Sequence, residues 1–206
     1  MEALVMAGGK GTRMGGGEKP LMPLLGRPMI SYVLDALSGS QWINKIYVAV
    51  SPDVFRTAEY LKNDSELTLV MTPGSGYVED MVYAIKALRF YKPVLIISAD
   101  LPLVTSDVID RVVDAYEKCG REALSVRVDA GLAPWPPDII LNDTERPTIP
   151  AGINVVHGAY IDRAQHEYIM VINDAALAAN VNYRKDLMSC GPLLANRQGK
   201  SEHEKK

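Results

Sequence analysis

Residues 3–21 read Ala-Leu-Val-Met-Ala-Gly-Gly-Lys-Gly-Thr-Arg-Met-Gly-Gly-Gly-Glu-Lys-Pro-Leu, an apolar run that leads into a glycine-rich loop. The apolar residues 4–7 predict a short buried strand. Glycine has no side chain, so the backbone N–H groups of the loop are open to phosphate oxygens. Lys10, Arg13 and Lys19 add positive charge, and the planar guanidinium of arginine fits a phosphate group. The stretch therefore predicts a strand followed by a triphosphate site.

Two common phosphate-binding motifs do not fit this loop. A P-loop requires G-x-x-x-x-G-K-[ST], but Arg13 stands five residues after Gly8, and Gly199-Lys200-Ser201 has Leu194 where the first glycine belongs. The dinucleotide fingerprint G-x-G-x-x-G would place its third glycine at Met14. An ordinary glycine-rich turn with surface cations is the alternative to a phosphate site.

Segments with strand and helix patterns alternate after the loop. This alternation predicts right-handed crossovers and a three-layer α/β fold with a mostly parallel central sheet. A strand order of 3-2-1-4 is expected for the first four strands. Helices are predicted over residues 28–39, 52–62 and 77–91, and further strands over residues 45–51, 67–72 and 94–99.

Length and charge limit the classes of function. The chain has 206 residues, which suits one domain that buries roughly 70% of its unfolded surface. We expect residues 1–196 to form this domain and residues 197–206 to be a charged, disordered tail. The formal net charge is −3, so the sequence has no basic field and argues against nucleic acid as a partner.

Cysteine usage and the first residues bear on location. Cys119 and Cys190 form no C-x-x-C motif, which favours a reducing compartment and argues against a disulfide framework or a cysteine zinc site. The apolar run after Glu2 ends at Ala7, too early for a signal peptide or a membrane span. We expect a cytoplasmic protein without membrane insertion, for which a homodimer is possible.

Asp100 is the second candidate site residue, in the run Val-Leu-Ile-Ile-Ser-Ala-Asp. Open α/β sheets bind ligands at the carboxyl ends of their strands, and the expected strand order would place Asp100 beside the glycine loop. A carboxylate near a polyphosphate is stabilised when Mg²⁺ bridges the two. The alternative is a turn aspartate before Pro102. Asp107, in contrast, fits the first turn of the next helix.

The glycine loop resembles the L-x-A-G-G-x-G-x-R-M-G…K-P-L signature of a nucleotidyltransferase superfamily that includes sugar-nucleotide pyrophosphorylases and molybdenum-cofactor guanylyltransferases. The match covers residues 4–21. It implies a Rossmann-like nucleotidyltransferase fold, and it gives Asp100 the role of a Mg²⁺ ligand. By the same resemblance, the residues of the loop that contact the nucleotide are Leu4, Ala7, Gly8, Gly9, Lys10, Gly11, Thr12, Arg13 and Lys19.

Residues 72–80, Thr-Pro-Gly-Ser-Gly-Tyr-Val-Glu-Asp, differ from the G-P-L-A-G-like segment of the molybdenum-cofactor enzymes. Together with residues 150–156, 168–172 and 180–182, they resemble the archaeal adenosylcobinamide-phosphate guanylyltransferase family. This resemblance runs from Met1 to about Leu187 and thins between Leu101 and Pro147. It implies transfer of GMP from GTP to adenosylcobinamide phosphate with Mg²⁺, in cobalamin biosynthesis.

Guanine recognition requires a carboxylate for the N1–H and N2 donors of the base and a backbone N–H for O6. Glu79 and Asp80 are the candidates, although one of them could instead cap the helix that begins near Tyr77. Thr72, Gly74 and Gly76 belong to the same predicted nucleotide-binding loop.

Residues in the second half of the chain are assigned by resemblance to related pyrophosphorylases. Asn154 is predicted to be a second metal ligand or a substrate contact. Gly152 would let the backbone approach a ligand, or it marks a β-bulge. Asn182 belongs to an N-[VI]-N-T-x-x-D-L-like ending in which Tyr183 replaces the threonine, which puts a phosphate role for Asn182 in doubt.

An acceptor phosphate is already an anion, so its oxygen can attack the α-phosphorus of GTP without a general base. Catalysis would then rest on positioning and charge neutralisation, with Arg13, Lys19 and Asp100 as the catalytic residues. Two alternatives stay open: a nucleotidyltransferase acting on a molybdopterin or a sugar phosphate, and a GTP-binding regulator without turnover.

Overall fold

The structure is a computed structural model that describes residues 1–9, 11 and 16–203. Three residues that were predicted to bind the nucleotide, Lys10, Thr12 and Arg13, lie outside the described residues. Nine strands and five α-helices are found in the described part of the chain. The strands are β1 Glu2–Met6, β2 Pro23–Leu24, β3 Arg27–Pro28, β4 Lys45–Val50, β5 Leu67–Met71, β6 Pro93–Ser98, β7 Ala123–Asp129, β8 Thr148–His157 and β9 Glu167–Val171. The helices are α1 Met29–Ser38, α2 Phe55–Leu61, α3 Tyr77–Ala87, α4 Ser106–Cys119 and α5 Arg184–His203.

Seven strands form one twisted sheet in the order β5-β4-β1-β6-β8-β7-β9, and β2 pairs with β3 in a separate short ribbon. Strand β8 is antiparallel to both of its neighbours, whereas the other pairs in the large sheet are parallel. The mostly parallel α/β sheet predicted from the sequence is confirmed. When the strands of the large sheet are counted along the chain, the β5-β4-β1-β6 half has the expected 3-2-1-4 order.

Helices cover both faces of the sheet because its strands are apolar on both sides. Val5 and Ile97 point to the face that packs against α1, α2 and α4. Leu4 and Ile96, one residue away on the same strands, point to the face covered by α3. These two cores give the three layers of the fold, and they bring the carboxyl ends of β1, β4, β5 and β6 to one edge.

The ends of the helices follow local signals in the sequence. Ser51 accepts a hydrogen bond from the N–H of Asp53 and so caps the turn that leads into α2. Thr105 caps α4 in the same way, and Asp107 lies in the first turn of α4 as predicted. Helix α3 ends at Ala87, earlier than the predicted residue 91.

Helix α5 packs its buried Leu187 and Cys190 against Leu24 of the short ribbon and Met29 of α1. Its backbone continues through His203, across residue 197, where the sequence predicted a charged tail to begin. Within the described residues, no helix has the length and apolar character needed to cross a bilayer.

Candidate active site

A cleft of about 510 Å³ opens at the carboxyl ends of β1, β5 and β6. It brings together residues from distant parts of the chain, as the strand order requires. The predicted residues Leu4, Thr72, Glu79, Gly152 and Asn154 are not among those that line the cleft. The predicted residues that do line it are Ala7, Gly8, Gly9, Gly11, Lys19, Gly74, Gly76, Asp80 and Asp100.

Buried Ser51, at the end of β4, joins the two glycine-containing loops that form one wall of the cleft. Its hydroxyl donates a hydrogen bond to the carbonyl oxygen of Gly8 at 2.7 Å. A Cβ atom added to either Gly8 or Gly74 would lie 3.3 Å from the Cβ of Ser51. Gly74 also has a φ of +77°, which disfavours other residues. Close packing around Ser51 therefore requires glycine at both positions.

Glu18 fixes the end of the glycine loop to α2. Its carboxylate accepts hydrogen bonds from the N–H groups of Arg56 and Thr57, at 2.8 and 2.6 Å, and from the Thr57 hydroxyl at 2.6 Å. Burial alone would raise the pKa of Glu18, but the hydrogen bonds from Thr57 and Arg56 outweigh it and hold the pKa below its usual value. Glu18 thereby satisfies free donors in the first turn of α2 and positions the adjacent Lys19.

Lys19 and Asp100, which both line the cleft, form an ion pair. The Lys19 Nζ lies 2.5 Å from Oδ2 of Asp100, and the two side chains are 18% and 22% exposed. Lys19 also donates a hydrogen bond to Oδ1 of Asn182 at 3.3 Å. The predicted proximity of the glycine loop and Asp100 is present, and Lys19 is paired rather than a free, solvent-facing cation.

Asp186 in the first turn of α5 positions Asn182. Its Oδ2 accepts hydrogen bonds from the N–H groups of Asn182 at 3.0 Å and Tyr183 at 2.7 Å. Burial raises the pKa of the nearby Cys190 thiol to about 12, and the negative charge of Asp186 adds to the rise. Cys190 is therefore a protonated core residue and no nucleophile at neutral pH. Asp186 is the aspartate of the N-[VI]-N-T-x-x-D-L-like segment, and its role at the start of α5 was not predicted from the sequence.

Asp80 is buried and orders the Gly74 loop. Its Oδ1 accepts hydrogen bonds from the N–H groups of Gly74 at 3.0 Å and Ser75 at 3.1 Å. Asp80 thus binds the loop before α3 and does not cap the helix, which was the alternative role considered for one of the two carboxylates. Glu79 is exposed and lies beside Gly76, at the rim of the cleft. The buried Thr72 hydroxyl donates a hydrogen bond to the carbonyl oxygen of Val50, so this residue fixes the start of the Gly74 loop to the end of β4.

Gly152 and Asn154 have structural positions on β8. The pairing of β7 with β8 shifts between Ser125 and Arg127, and Gly152 has a φ of +74° within this irregularity. Gly152 therefore lies in a β-bulge, as the second of its two interpretations predicted. Asn154 pairs with Ile96, two residues before β6 ends at Ser98. Asn154 is not among the residues that line the cleft with Asp100, and its role as a metal ligand or substrate contact stays a prediction.

Tyr77 and Ser98 line the cleft and were not predicted as site residues. Tyr77 is 46% exposed, but its hydroxyl end lies against the sheet, where burial raises its pKa. Hydrogen bonding with Ser98 opposes the rise, and the charge of Asp100 increases it. The raised pKa keeps the phenol protonated beside Ser98. Tyr77 directly follows the predicted Gly76 and Ser98 stands two residues before Asp100, which is the signal that could have identified them.

The residues of the cleft fit a magnesium ion that is shared with a triphosphate. Oδ1 of Asp100 is buried and has no hydrogen-bond partner, so it is open to a cation. Among the described residues, no group of three or more acidic, histidine or cysteine side chains could hold a metal alone. Mg²⁺ commonly takes one or two carboxylates and completes its shell with phosphate oxygens and water. Asp100 is therefore suited to hold Mg²⁺ together with a bound nucleotide.

Comparison with known proteins agrees with this geometry. The family model of the MobA-like NTP transferase domain matches residues 3–181. The chain belongs to this family. It is a nucleotidyltransferase, which confirms the interpretation of the glycine loop. A relative from Methanocaldococcus jannaschii, an adenosylcobinamide-phosphate guanylyltransferase, is 41% identical over 207 aligned residues, which cover 94% of this chain and 97% of the relative.

Other relatives match a shorter part of the chain. The molybdenum cofactor guanylyltransferase of Shewanella sediminis is 28% identical over 57% of this chain and 58% of its own length. The bifunctional protein GlmU of Geobacter sulfurreducens is 31% identical over 58% of this chain and 26% of its own length. The resemblances predicted from the sequence motifs are thereby confirmed.

Two solved structures share the fold. A CMP:2-keto-3-deoxy-manno-octonic acid synthetase in complex with CTP has a TM-score of 0.69 at 12% identity and covers 95% of this chain and 99% of its own. A hypothetical transferase from Thermus thermophilus has a TM-score of 0.68 at 16% identity and covers 90% and 98%. At these identities the similarity concerns the three-layer α/β fold alone.

Proposed function

We propose that this protein transfers GMP from GTP to adenosylcobinamide phosphate, which yields adenosylcobinamide-GDP and pyrophosphate in cobalamin biosynthesis. The observation that carries the proposal is the 41% identity to the Methanocaldococcus jannaschii guanylyltransferase across nearly the whole of both chains. The molybdenum-cofactor relative above stops at about three fifths of either chain. Similarity to the adenosylcobinamide-phosphate enzyme thus covers parts of the chain that the molybdenum-cofactor relative does not match.

The reaction forms one P–O bond and breaks another. An oxygen of the acceptor phosphate attacks the α-phosphorus of GTP, and the bond from that phosphorus to the bridging oxygen of the β-phosphate breaks. Pyrophosphate carries the electron pair away. The attacking oxygen is already deprotonated, so the protein needs no general base and acts by positioning and by neutralising charge.

Lys19 is the described cation that can act on the triphosphate. Its side chain reaches Asp100 and Asn182 in the cleft, and a bound phosphate would replace part of this pairing. Arg13 is proposed as a second phosphate contact on the basis of its motif. Mg²⁺, where held by Asp100 and the nucleotide, would neutralise negative charge on the triphosphate.

GTP selectivity is proposed to come from the Gly74 loop. Asp80 already accepts two backbone N–H bonds through Oδ1, which leaves Glu79 as the more accessible carboxylate of the two. The Mg²⁺ requirement, a cytoplasmic location and an archaeal origin belong to the same proposal. The unpartnered Asp100 oxygen in the cleft supports the Mg²⁺ requirement, the cysteine usage supports the location, and the Methanocaldococcus jannaschii relative supports the origin.

The proposal is tested by product analysis with three acceptors. The protein is incubated with GTP and Mg²⁺ and with adenosylcobinamide phosphate, molybdopterin or glucose 1-phosphate, and pyrophosphate and product mass are measured. We expect pyrophosphate and adenosylcobinamide-GDP with the corrinoid, and neither with the Asp100→Asn variant. A product from one of the other acceptors would contradict the proposal. GTP binding without pyrophosphate in any mixture would indicate a regulator.

A further inference from the structure

A second cleft of about 350 Å³ adjoins the nucleotide cleft. Asn182 lines both clefts, and its side chain accepts a hydrogen bond from Lys19. The second cleft is built by the segment between β7 and β8, by the start of β8 and by the first turn of α5. A molecule bound there could present a phosphate to the nucleotide cleft across Asn182.

One wall of the second cleft is apolar and held in place. The Trp135 indole Nε1 donates a hydrogen bond to the carbonyl oxygen of Asn180 at 3.2 Å, which fixes the ring. Two prolines follow in the sequence and also line the cleft. Ile139 lines it as well, and 58% of this side chain is exposed. Exposed apolar side chains beside a rigid aromatic ring are typical of a ligand surface rather than a core.

Two polar side chains that line this cleft have acceptor atoms without partners. Asp186 is 1% exposed, and while its Oδ2 accepts two N–H bonds, its Oδ1 has no hydrogen-bond partner. Oδ1 of Asn180 is also buried without a partner. Unpaired buried acceptors are costly, and a ligand that brings N–H donors would satisfy them. The cleft therefore favours a ligand that combines an apolar face with amide groups.

We infer that the second cleft binds the amide-bearing corrinoid ring of the acceptor and so determines which phosphate the enzyme guanylylates. This inference rests on the proposed function. A volume of about 350 Å³ is suited to one edge of such a macrocycle, with the remainder outside the cleft. A sugar phosphate offers no comparable apolar face to Trp135 and Ile139.

Neighbouring isoleucines provide a matched pair of variants. Ile139 lines the second cleft, whereas Ile140 does not, and they are 58% and 51% exposed. Ile139→Ser should lower kcat/KM for adenosylcobinamide phosphate about tenfold, because apolar contact with the acceptor is lost. Ile140→Ser should leave it within twofold of wild type. Both variants should keep the wild-type Kd for GTP, measured by calorimetry. Equal effects of the two substitutions on the acceptor would overturn the inference.

Binding can also be followed without turnover. The chain contains two tryptophans, and Trp42 lies at the other end of the sheet, where its carbonyl oxygen bonds the amino terminus. Adenosylcobinamide, which lacks the phosphate, should shift the indole N–H signal of Trp135 in a ¹H–¹⁵N NMR spectrum and leave that of Trp42 in place. A shift of neither signal would refute the site. If wild type makes no corrinoid product yet Trp135 responds, the proposed function fails while the binding site stands.

Discussion

Breaking the Lys19–Asp100 ion pair is expected to reduce stability only slightly and turnover strongly. Lys19→Met removes the ammonium and keeps most of the aliphatic stem. The two side chains are 18% and 22% exposed, so water partly screens their attraction. Partly solvated ion pairs of this kind contribute about 0.2–1 kcal/mol to folding. Loss of one electrostatic contact to a transition state typically costs about 10²-fold or more in rate, or about 3 kcal/mol.

The assay pairs two measurements on the same preparations. Pyrophosphate release at saturating GTP and acceptor gives kcat, and urea unfolding gives the free energy of unfolding. Lys62→Met is the control, because Lys62 pairs with Glu59 on the exposed surface near the end of α2 and not in the cleft. We expect a similar, small loss of stability in both variants and a loss of kcat in Lys19→Met alone.

The combined Lys19→Met and Asp100→Asn variant tests whether the two residues act together. Residues that serve one step are strongly non-additive, so the double variant should be little slower than the slower single variant. A Lys19→Met enzyme with a rate within threefold of wild type would refute the assigned role. So would a kcat loss that is fully explained by the fraction of unfolded protein.

Three further substitutions test the architecture of the cleft. Glu18→Gln should lower the free energy of unfolding by about 1–2 kcal/mol at pH 7, since the carboxylate binds the first turn of α2. The folded-state pKa of Glu18 is lowered, so the extra stability of the wild-type protein is present above the ordinary carboxyl pKa and is lost as the pH falls through the lower folded-state pKa. A difference in the free energy of unfolding that persists at pH 2 would contradict this role of the carboxylate. Gly8→Ala should lower the melting temperature, because the new Cβ lies 3.3 Å from Ser51, whereas Gly9→Ala, with nothing within 4 Å of its Cβ, should not; equal melting temperatures would exclude close packing as the reason. Glu79→Ala should reduce the preference for GTP over ATP about tenfold or more in calorimetry, and an unchanged ratio would assign base recognition to backbone groups.

The sequence predicted the half of the sheet that forms the first cleft, in which GTP is proposed to bind. Continuous apolar runs and intervening helical patterns predicted β1, β4, β5 and β6, and the rule for ligand sites in open sheets placed Asp100 near the glycine loop. The Lys19–Asp100 contact joins residues 81 positions apart, and strand order was enough to predict that they are close. Their direct pairing was not predictable, because it depends on side-chain positions without ligand.

The other half of the site depends on contacts that sequence patterns do not specify. Asn182 reaches Lys19 because Val181 donates a hydrogen bond to the backbone carbonyl oxygen of Asp100 and because Asp186 holds the following turn. The first contact is long-range and leaves no local pattern, and Tyr183 stands where a threonine would have marked the second as a capping box. The ligand role of Asn154 rested on resemblance alone, and the antiparallel register that sets this residue opposite Ile96 of β6 could not be predicted from the sequence. The Trp135 segment has no periodic pattern that reveals a second cleft.

The central claim is that the α-phosphate of GTP, with its nucleoside, is joined to a corrinoid phosphate. It is tested most directly by parallel reactions with adenosylcobinamide phosphate and GTP labelled with ³²P at either the α- or the γ-position. The account predicts that the α-label enters the corrinoid product and that the γ-label leaves as pyrophosphate, in equal amounts and only when the acceptor is present. Transfer of the γ-label to the corrinoid, or release of either label without an acceptor, would contradict it.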